Sequence, residues 1–187
     1  GWAYGYPELS AAHREAIRTG KRIAVPGCYA TGFITTAYAL VAGGILPKDY
    51  PVSAFAVSGY SGGGKKMIAQ YQAQDKEKEL SSARLYALSQ SHKHLKEMKA
   101  ISGLERTPLF SPMVTDYYSG MTVSLTFYAD MLNGRQTPET VREYLAKHYA
   151  GEKFITVQPL GAEAEAGGVL FSGARSGWDG LEIYVTG

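Results

Sequence analysis

The sequence predicts a domain of the α+β class, and three observations support this prediction. Apolar residues recur at helical spacing in several separate segments. Near residue 121 the pattern changes to period two, which is typical of a half-buried strand. Further β-prone runs follow the last predicted helix, an order that indicates an α+β arrangement. The clearest alternating segment places four apolar side chains on one face: Met121, Val123, Leu125 and Phe127.

The first quarter of the chain predicts a short helix, a strand and a long buried helix. Residues 8–19 have helical spacing. Residues 21–25 form a brief β-prone run that Pro26-Gly27 ends. The apolar stretch 29–41 then predicts a buried helix, and Gly43-Gly44 supplies its stop signal.

The middle of the chain predicts two strands, each followed by a helix. Residues 51–59 alternate as a strand does, and a glycine-rich loop leads into a helix over 66–74. Residues 84–89 are the next strand candidate, and residues 94–101 have helical spacing. The charged residues 74–82 indicate a solvated connection without chemistry.

The last third predicts one capped helix and three short strands. The helix is expected over 137–149, because Thr137 can cap it, Pro138 is tolerated at the first position, and Glu139 favours the positive end of the helix dipole. The strands are expected at 154–157, 169–172 and 181–185.

Composition excludes several function classes. The 187 residues carry a net charge of only +2, which gives no case for nucleic acid or an anionic membrane as partner. No run approaches the roughly 18 apolar residues of a membrane span, and the first ten residues lack the features of a signal peptide. A single cysteine cannot form an internal disulfide. We therefore expect a protein of a reducing, cytoplasmic compartment.

Cys28 is that single cysteine, and two interpretations of it are open. Free cysteines are often buried as small apolar residues. However, Cys28 follows Pro26-Gly27 at the predicted first turn of a helix, where free N–H groups and the helix dipole favour a thiolate. The same N–H groups could hold a developing oxyanion.

A thiolate nucleophile usually needs a base or acid nearby, and the chain has four histidines. His13 and His148 fall within predicted helices among charged neighbours, where a surface position explains them. His92 and His94 stand two residues apart where a strand meets a helix, a common place for catalytic groups. Zinc would need three or four ligands and no third ligand stands out, so no metal is expected.

The segment SGYSGGGKK invites comparison with a phosphate-binding loop. From Gly59 it fits G-x-x-x-x-G-K, but Lys66 stands where Ser or Thr should bind magnesium. A nucleotide-hydrolysing loop is therefore disfavoured. A tight turn, or close approach of the backbone to another phosphate or cofactor group, stays open. No G-x-G-x-x-G opens a strand-turn-helix unit in this chain.

Five segments, taken together and in order, resemble the shorter form of the N-acetyl-gamma-glutamyl-phosphate reductase family. The resemblance implies the fold of the glyceraldehyde-3-phosphate dehydrogenase-like C-terminal domain, a mixed, largely antiparallel sheet with helices on one face. It also implies NADPH-dependent reduction of N-acetyl-L-glutamyl 5-phosphate to the 5-semialdehyde in arginine biosynthesis, through a cysteine thioester. The segments are YGYPEL (4–9), VPGCYATG (25–32), VSGYSGGGKK (57–66), HKHLKEM (92–98) and FSPMVTDYYSGMTVSL (110–125).

The resemblance assigns roles to particular residues. Cys28 matches the nucleophile, His94 the general acid and base, and Glu97 the carboxylate that orients this histidine. His92 is then structural or lines the substrate site. The loop 58–64 matches the family segment beside the nicotinamide half of NADPH, which gives five cofactor-binding candidates: Ser58, Gly59, Ser61, Gly62 and Gly63. The ligand of the substrate carboxylate is not fixed, with Arg106 one candidate, and Lys65 is a candidate for holding phosphate.

The chain also departs from the family pattern. Lys96 replaces a usual proline, and Gly62-Gly63-Gly64 replaces Gly-Ala-Gly. Family members carry a dinucleotide-binding domain before YGYPEL and a further segment after the last strand. We therefore expect residues 1–26 to be the edge of that cofactor domain and residues 27–187 to be the catalytic, substrate-binding and dimerisation domain.

Two consequences follow from this division. The isolated chain is expected to show no reductase activity, because most NADPH contacts would lie outside it. We also expect a homo-oligomer, either a dimer or a tetramer. The alternative function is a non-catalytic dimerisation or interaction module of the same fold. Among related enzymes, aspartate-semialdehyde dehydrogenase is the nearest rival, and HKHLKEM argues against it.

Overall fold

A four-stranded sheet forms the centre of the computed structural model, which describes residues 1–187. The strand order is β4-β5-β3-β6. Strand β3 (Ser53–Gly59) runs parallel to β5 (Leu109–Thr115) and antiparallel to β6 (Met121–Thr126). The two-residue β4 (Arg84–Leu85) is antiparallel to β5. The predicted mixed sheet is therefore confirmed, with two of the three strand pairings in this sheet antiparallel.

Helix α2 (Cys28–Ala42) is the centre of the hydrophobic core. It contacts β6, α4 (His94–Ser102) and α5 (Pro138–His148). Gly32 lets it approach the sheet, because a Cβ there would lie 2.7 Å from the side chain of Val123. Eight of its residues are buried: Tyr29, Ala30, Phe33, Ile34, Thr35, Ala37, Ala39 and Leu40.

The packing of α2 in the core contributes more to the stability of the fold than a helix cap does. Truncating a fully buried phenylalanine such as Phe33 typically costs about 3–5 kcal/mol. The predicted Thr137 cap of α5 is present, with Thr137 and Thr140 capping each other reciprocally, but a cap contributes only about 1 kcal/mol. No helix has both the length and the apolar character needed to cross a membrane.

The helices cover one face of the sheet. On that face Ala54, Ala56 and Phe110 are at most 1% exposed, and we call it the covered face. The alternate residues form the open face, where Phe55 is 42% and Leu109 62% exposed. The prediction of helices on one face is therefore confirmed.

The remaining elements surround this unit. Strands β1 (Ala3–Tyr4) and β2 (Ile23–Ala24) form a parallel pair around α1 (Ala11–Thr19). A second parallel pair joins β7 to β8 near the end of the chain. The other elements are α3 (Gly64–Gln72), α6 (Ala162–Glu165), β7 (Ile155–Val157) and β8 (Leu181–Ile183).

Two strand predictions were wrong in extent or existence. The strand expected at 84–89 ends at Leu85, because Ala87 has a φ of 52°, which strand geometry does not allow. The strand expected at 169–172 does not form, and Phe171 there is 76% exposed. An apolar run without a neighbouring strand edge has no partner for its backbone hydrogen bonds.

Candidate active site

Cys28 is the first residue of α2, and its thiol is exposed. Gly27 precedes it as the N-cap residue in an extended conformation. The first N–H groups of a helix have no carbonyl partner within the helix, so the thiol lies beside free donors at the positive end of the helix dipole. Its exposure excludes the interpretation of Cys28 as a buried core residue.

His94 is the first residue of α4 and lies over the turn before Cys28. A Cβ atom added to Gly27 would overlap the His94 ring, and Nε2 is the ring atom nearest to that position. Only glycine therefore allows the imidazole to approach this turn. Burial lowers the pKa of His94, Glu97 opposes this effect, and Lys93 adds to it. The ring is therefore mostly neutral at pH 7 and available as a base.

Glu97 does not form the predicted hydrogen bond with His94. Its Oε1 instead accepts hydrogen bonds from the Gly27 N–H at 3.0 Å and from the Tyr4 hydroxyl at 2.8 Å. Nδ1 of His94 is buried without a hydrogen-bond partner. These two donors hold Oε1, so Glu97 connects directly to the turn before the nucleophile and affects the histidine only through its charge.

The glycine-rich loop reaches the same place from the end of β3. Ser58 lies 2.6 Å, oxygen to oxygen, from the Tyr29 hydroxyl in α2. Gly59 must be glycine, because a Cβ would lie 2.6 Å from the carbonyl oxygens of Tyr117 and Tyr118. At Gly62 a Cβ would meet nothing within 4 Å, so bare backbone faces open space.

A single cleft of about 1730 Å³ brings the predicted site residues together. Three candidates lie outside it, and the first is Glu97, whose carboxylate binds the Gly27 N–H before Cys28. Arg106 lines a separate groove with Asp49 and Tyr50, and Lys65 does not line the cleft either. The predicted site residues that line the cleft are Cys28, Ser58, Gly59, Ser61, Gly62, Gly63, His92 and His94.

His92 has a defined tautomer. Its Nδ1 accepts a hydrogen bond from the backbone N–H of His94 at 3.2 Å, so a neutral ring carries its proton on Nε2. The two histidine rings have centroids 4.7 Å apart. Burial lowers the pKa of His92, and the charges of His94 and Lys93 lower it further. His92 is therefore a neutral hydrogen-bond donor in the cleft.

Sequence reasoning missed three tyrosines around this site. Tyr29 contacts Ser58 and the rings of both cleft histidines, and burial raises its pKa. Tyr86 packs against His92 and also has a pKa raised by burial. Tyr4 holds Glu97 from β1. Tyr4 and Tyr29 stand inside segments that carried the family resemblance, but nothing in their local pattern indicated these contacts.

Comparison with known proteins identifies the family of the chain. Residues 28–172 match the family described as "Semialdehyde dehydrogenase, dimerisation domain". The N-acetyl-gamma-glutamyl-phosphate reductase of Rhizobium meliloti (strain 1021) is 40% identical over 187 residues, which is all of this chain and 60% of the relative. N-acetyl-gamma-glutamyl-phosphate reductase 2 of Nostoc sp. (strain PCC 7120) is 37% identical over 193 residues, again with 60% of the relative covered. The family resemblance found in the sequence is therefore confirmed.

A solved structure supports the fold. Aspartate semialdehyde dehydrogenase from Francisella tularensis superposes with a TM-score of 0.64 at 14% identity, over 98% of this chain and 60% of that one. The chain thus spans about 60% of the length of the relatives it matches. On the family match and the fold, the chain belongs to the semialdehyde dehydrogenase dimerisation-domain family.

Proposed function

We propose that the chain carries the nucleophile, substrate surface and subunit contacts of an NADPH-dependent N-acetyl-gamma-glutamyl-phosphate reductase in arginine biosynthesis. The enzyme would convert N-acetyl-L-glutamyl 5-phosphate to N-acetyl-L-glutamate 5-semialdehyde and phosphate. One observation carries the proposal: an exposed cysteine begins a 15-residue helix directly beneath a mostly neutral histidine in one cleft. The names of the relatives support the choice of substrate.

The first half of the reaction uses Cys28 and His94. Neutral His94 takes the thiol proton of Cys28 and holds it as imidazolium. The thiolate Sγ bonds to the acyl carbon, and the bond from that carbon to the phosphate oxygen breaks, with phosphate taking the electron pair. The free N–H groups at the start of α2 stabilise the charge that develops on the carbonyl oxygen. The product is a thioester on Cys28.

The second half reduces that thioester. NADPH, when bound, supplies the hydride that the thioester carbon accepts. His94 delivers its held proton to the resulting oxyanion, which gives a thiohemiacetal on Cys28. His94 then takes the hydroxyl proton back as the carbon–sulfur bond breaks, Sγ leaves as thiolate and the aldehyde forms.

Five residues form the proposed cofactor surface, and the bare backbone of Gly62 is the feature that fits a planar ring. No side chain occupies the space in front of Gly62, so a nicotinamide can approach the backbone there, in the cleft that Cys28 also lines. The surface consists of Ser58, Gly59, Ser61, Gly62 and Gly63.

The proposed partner is a second copy of the chain, bound through the open face. Phe55, Leu85 and Leu109 are 42%, 53% and 62% exposed there, and side chains of this kind are favoured in buried subunit contacts. A dimer or tetramer follows, in agreement with the family description. We also propose that residues 1–26 form the edge of a cofactor domain and residues 27–187 the catalytic and dimerisation domain. The isolated chain would then have no reductase activity, and the enzyme would be cytoplasmic.

Alkylation of Cys28 tests the nucleophile. We expect iodoacetamide to modify it near neutral pH faster than it modifies a free cysteine, because its thiol lies beside the free N–H groups at the start of α2 and near a neutral His94 that can accept its proton. The rate is measured by mass spectrometry against a short unstructured peptide of the sequence around Cys28. A rate equal to or below that of the peptide would reject catalysis and favour the non-catalytic interaction module.

A further inference from the structure

We propose that Tyr4 is a positioning residue, which acts with Glu97 to hold the turn that presents Cys28 beneath His94. The three groups involved are the Tyr4 hydroxyl, the Glu97 carboxylate and the Gly27 N–H, and we call them the tether. This inference rests on the proposed role of Cys28 as nucleophile.

The tether and Thr31 together hold the two peptide groups that flank Gly27. Glu97 accepts from the Gly27 N–H, while the Gly27 carbonyl accepts from Thr31 twice, from its backbone N–H at 2.8 Å and its hydroxyl at 3.1 Å. Both backbone groups of Gly27 are therefore fixed. Since Gly27 also lies against the His94 ring, the tether fixes the distance between the base and the nucleophile's turn.

Tyr4 also keeps Glu97 from acting directly on His94. Both donors of the tether bind the same carboxylate oxygen, while Nδ1 of His94 is buried without a partner. Glu97 is the only carboxylate among the titratable groups around this ring; the others are Lys93 on α4, His92 before it, and Cys28 and Tyr29 on α2. Loss of the Tyr4 hydroxyl leaves the Gly27 N–H as the one remaining donor to Oε1, and we expect the less constrained carboxylate to turn towards Nδ1.

Tyr4 reaches the site from a distant part of the chain. It lies in β1, which pairs with β2, and β2 ends three residues before Gly27. The tether therefore connects this strand pair to α4 across 93 residues of sequence. Any displacement of the strand pair would act on the turn through Glu97.

Two variants change the tether in opposite ways and give opposite expected shifts. In Tyr4→Phe the freed carboxylate pairs with His94 and raises its titration midpoint by about half a pH unit, roughly a threefold gain in proton affinity. In Glu97→Gln the acceptor remains but the charge is lost, so the midpoint falls by a similar amount. A tyrosine that only supports the fold would leave the His94 midpoint unchanged in Tyr4→Phe, whereas the Glu97→Gln shift reports the loss of the carboxylate charge alone.

The experiment follows the His94 ring by NMR and Cys28 alkylation as a function of pH, both on this chain. Tyr184→Phe is the matched control, because it removes a tyrosine-to-glutamate hydrogen bond, to Glu182, away from the Cys28 turn. We expect the control to titrate as the wild type does. If Tyr4→Phe unfolds the chain, as circular dichroism would show, Glu97→Ala and Glu97→Gln carry the test, because both lose the charge but only Glu97→Ala loses the acceptor of both tether donors. Cys28 alkylation should then be slower in Glu97→Ala than in Glu97→Gln.

The outcomes separate this inference from the proposed function. An unchanged His94 midpoint in Tyr4→Phe or, where that variant unfolds, equal Cys28 alkylation rates in Glu97→Ala and Glu97→Gln would overturn the tether alone, provided that the wild-type Cys28 is reactive. A wild-type Cys28 no more reactive than a free thiol would overturn the proposed function, whatever the variants show.

Discussion

The covered and open faces of the central sheet use the same strands for opposite purposes. On the covered face Ala54 and Ala56 are buried in the core, and Gly32 lets α2 approach Val123 of β6. Helix α2 begins with Cys28, which lines the cleft. On the open face Phe55 and Leu109 remain accessible. Because successive side chains of β3 point to opposite faces, the active-site cleft and the proposed subunit contact lie on opposite sides of the sheet. Substitutions on the cleft side should leave self-association unchanged, and substitutions on the open face should leave the reactivity of Cys28 unchanged.

The largest expected effect on the covered side is that of Cys28→Ala. In the complete enzyme it should abolish reductase turnover, because Cys28 is the one thiol of this chain that lines the cleft with His94 and could form the thioester. Sedimentation should show an unchanged oligomer, since Cys28 lies on the cleft side. Residual turnover well above background, or dissociation of the subunits, would contradict the separation of the faces.

His94→Ala should reduce turnover of the complete enzyme by about a hundred to ten-thousand fold, the usual cost of losing a general acid and base. Steady-state kinetics measure this loss, and the oligomer should again be unaffected. Near-normal rates would reject His94 as the acid and base.

An opposite result is expected on the open face. Phe55→Lys should weaken self-association by at least about tenfold, because a charge would be buried in an apolar contact. Alkylation of Cys28 should keep its wild-type rate. Leu88→Lys is the control, because Leu88 is 76% exposed but lies outside the sheet. Equal dissociation constants for the two variants would exclude the open face as the contact.

The smallest expected effect is a pH dependence of the free energy of unfolding, which comes from three histidines with lowered pKa values. Burial lowers the pKa of His13, His92 and His94, so the unfolded chain binds more protons than the folded chain below its ordinary histidine pKa of about 6.5. The contribution of these histidines to the free energy of unfolding is fully present above about pH 6.5 and is lost as the pH falls through their lowered pKa values. The urea midpoint should therefore decrease from about pH 7.5 to about pH 5.5.

Two substitutions test whether the histidines cause this pH dependence. His13→Asn should make the urea midpoint less dependent on pH, whereas Phe55→Ser on the open face should leave the slope unchanged. A midpoint that stays constant or rises on acidification would contradict the assignment to buried neutral histidines.

Local signals predicted the elements that local interactions determine. The Thr137 cap, the apolar run of α2 and the alternation of β6 were all visible in the sequence, and the structure confirms them. The run at 169–172 misled because β-propensity depends on a neighbouring strand, which is absent there. The pairing of β1 with β2 was missed because each strand has only two residues.

The sequence allowed us to predict which residues form the candidate site, but not the hydrogen bonds that connect them. Family order and motif spacing indicated Cys28, His94 and the loop from Ser58, and one cleft contains them. The donors that hold Glu97 were not predictable, because Tyr4 is 93 residues away and no pattern in one sequence reports such a contact. The electrostatic surroundings of His94 thus depend on tertiary packing.

The contact between Gly27 and His94 has a genetic consequence. Every single amino-acid replacement at position 27 adds at least a Cβ where the imidazole lies. In a library of all single substitutions selected for growth, we expect position 27 to tolerate as little variation as position 28, although glycine brings no reactive group. Second-site suppressors, if they arise, should map to residues that let the first turn of α4 move outward.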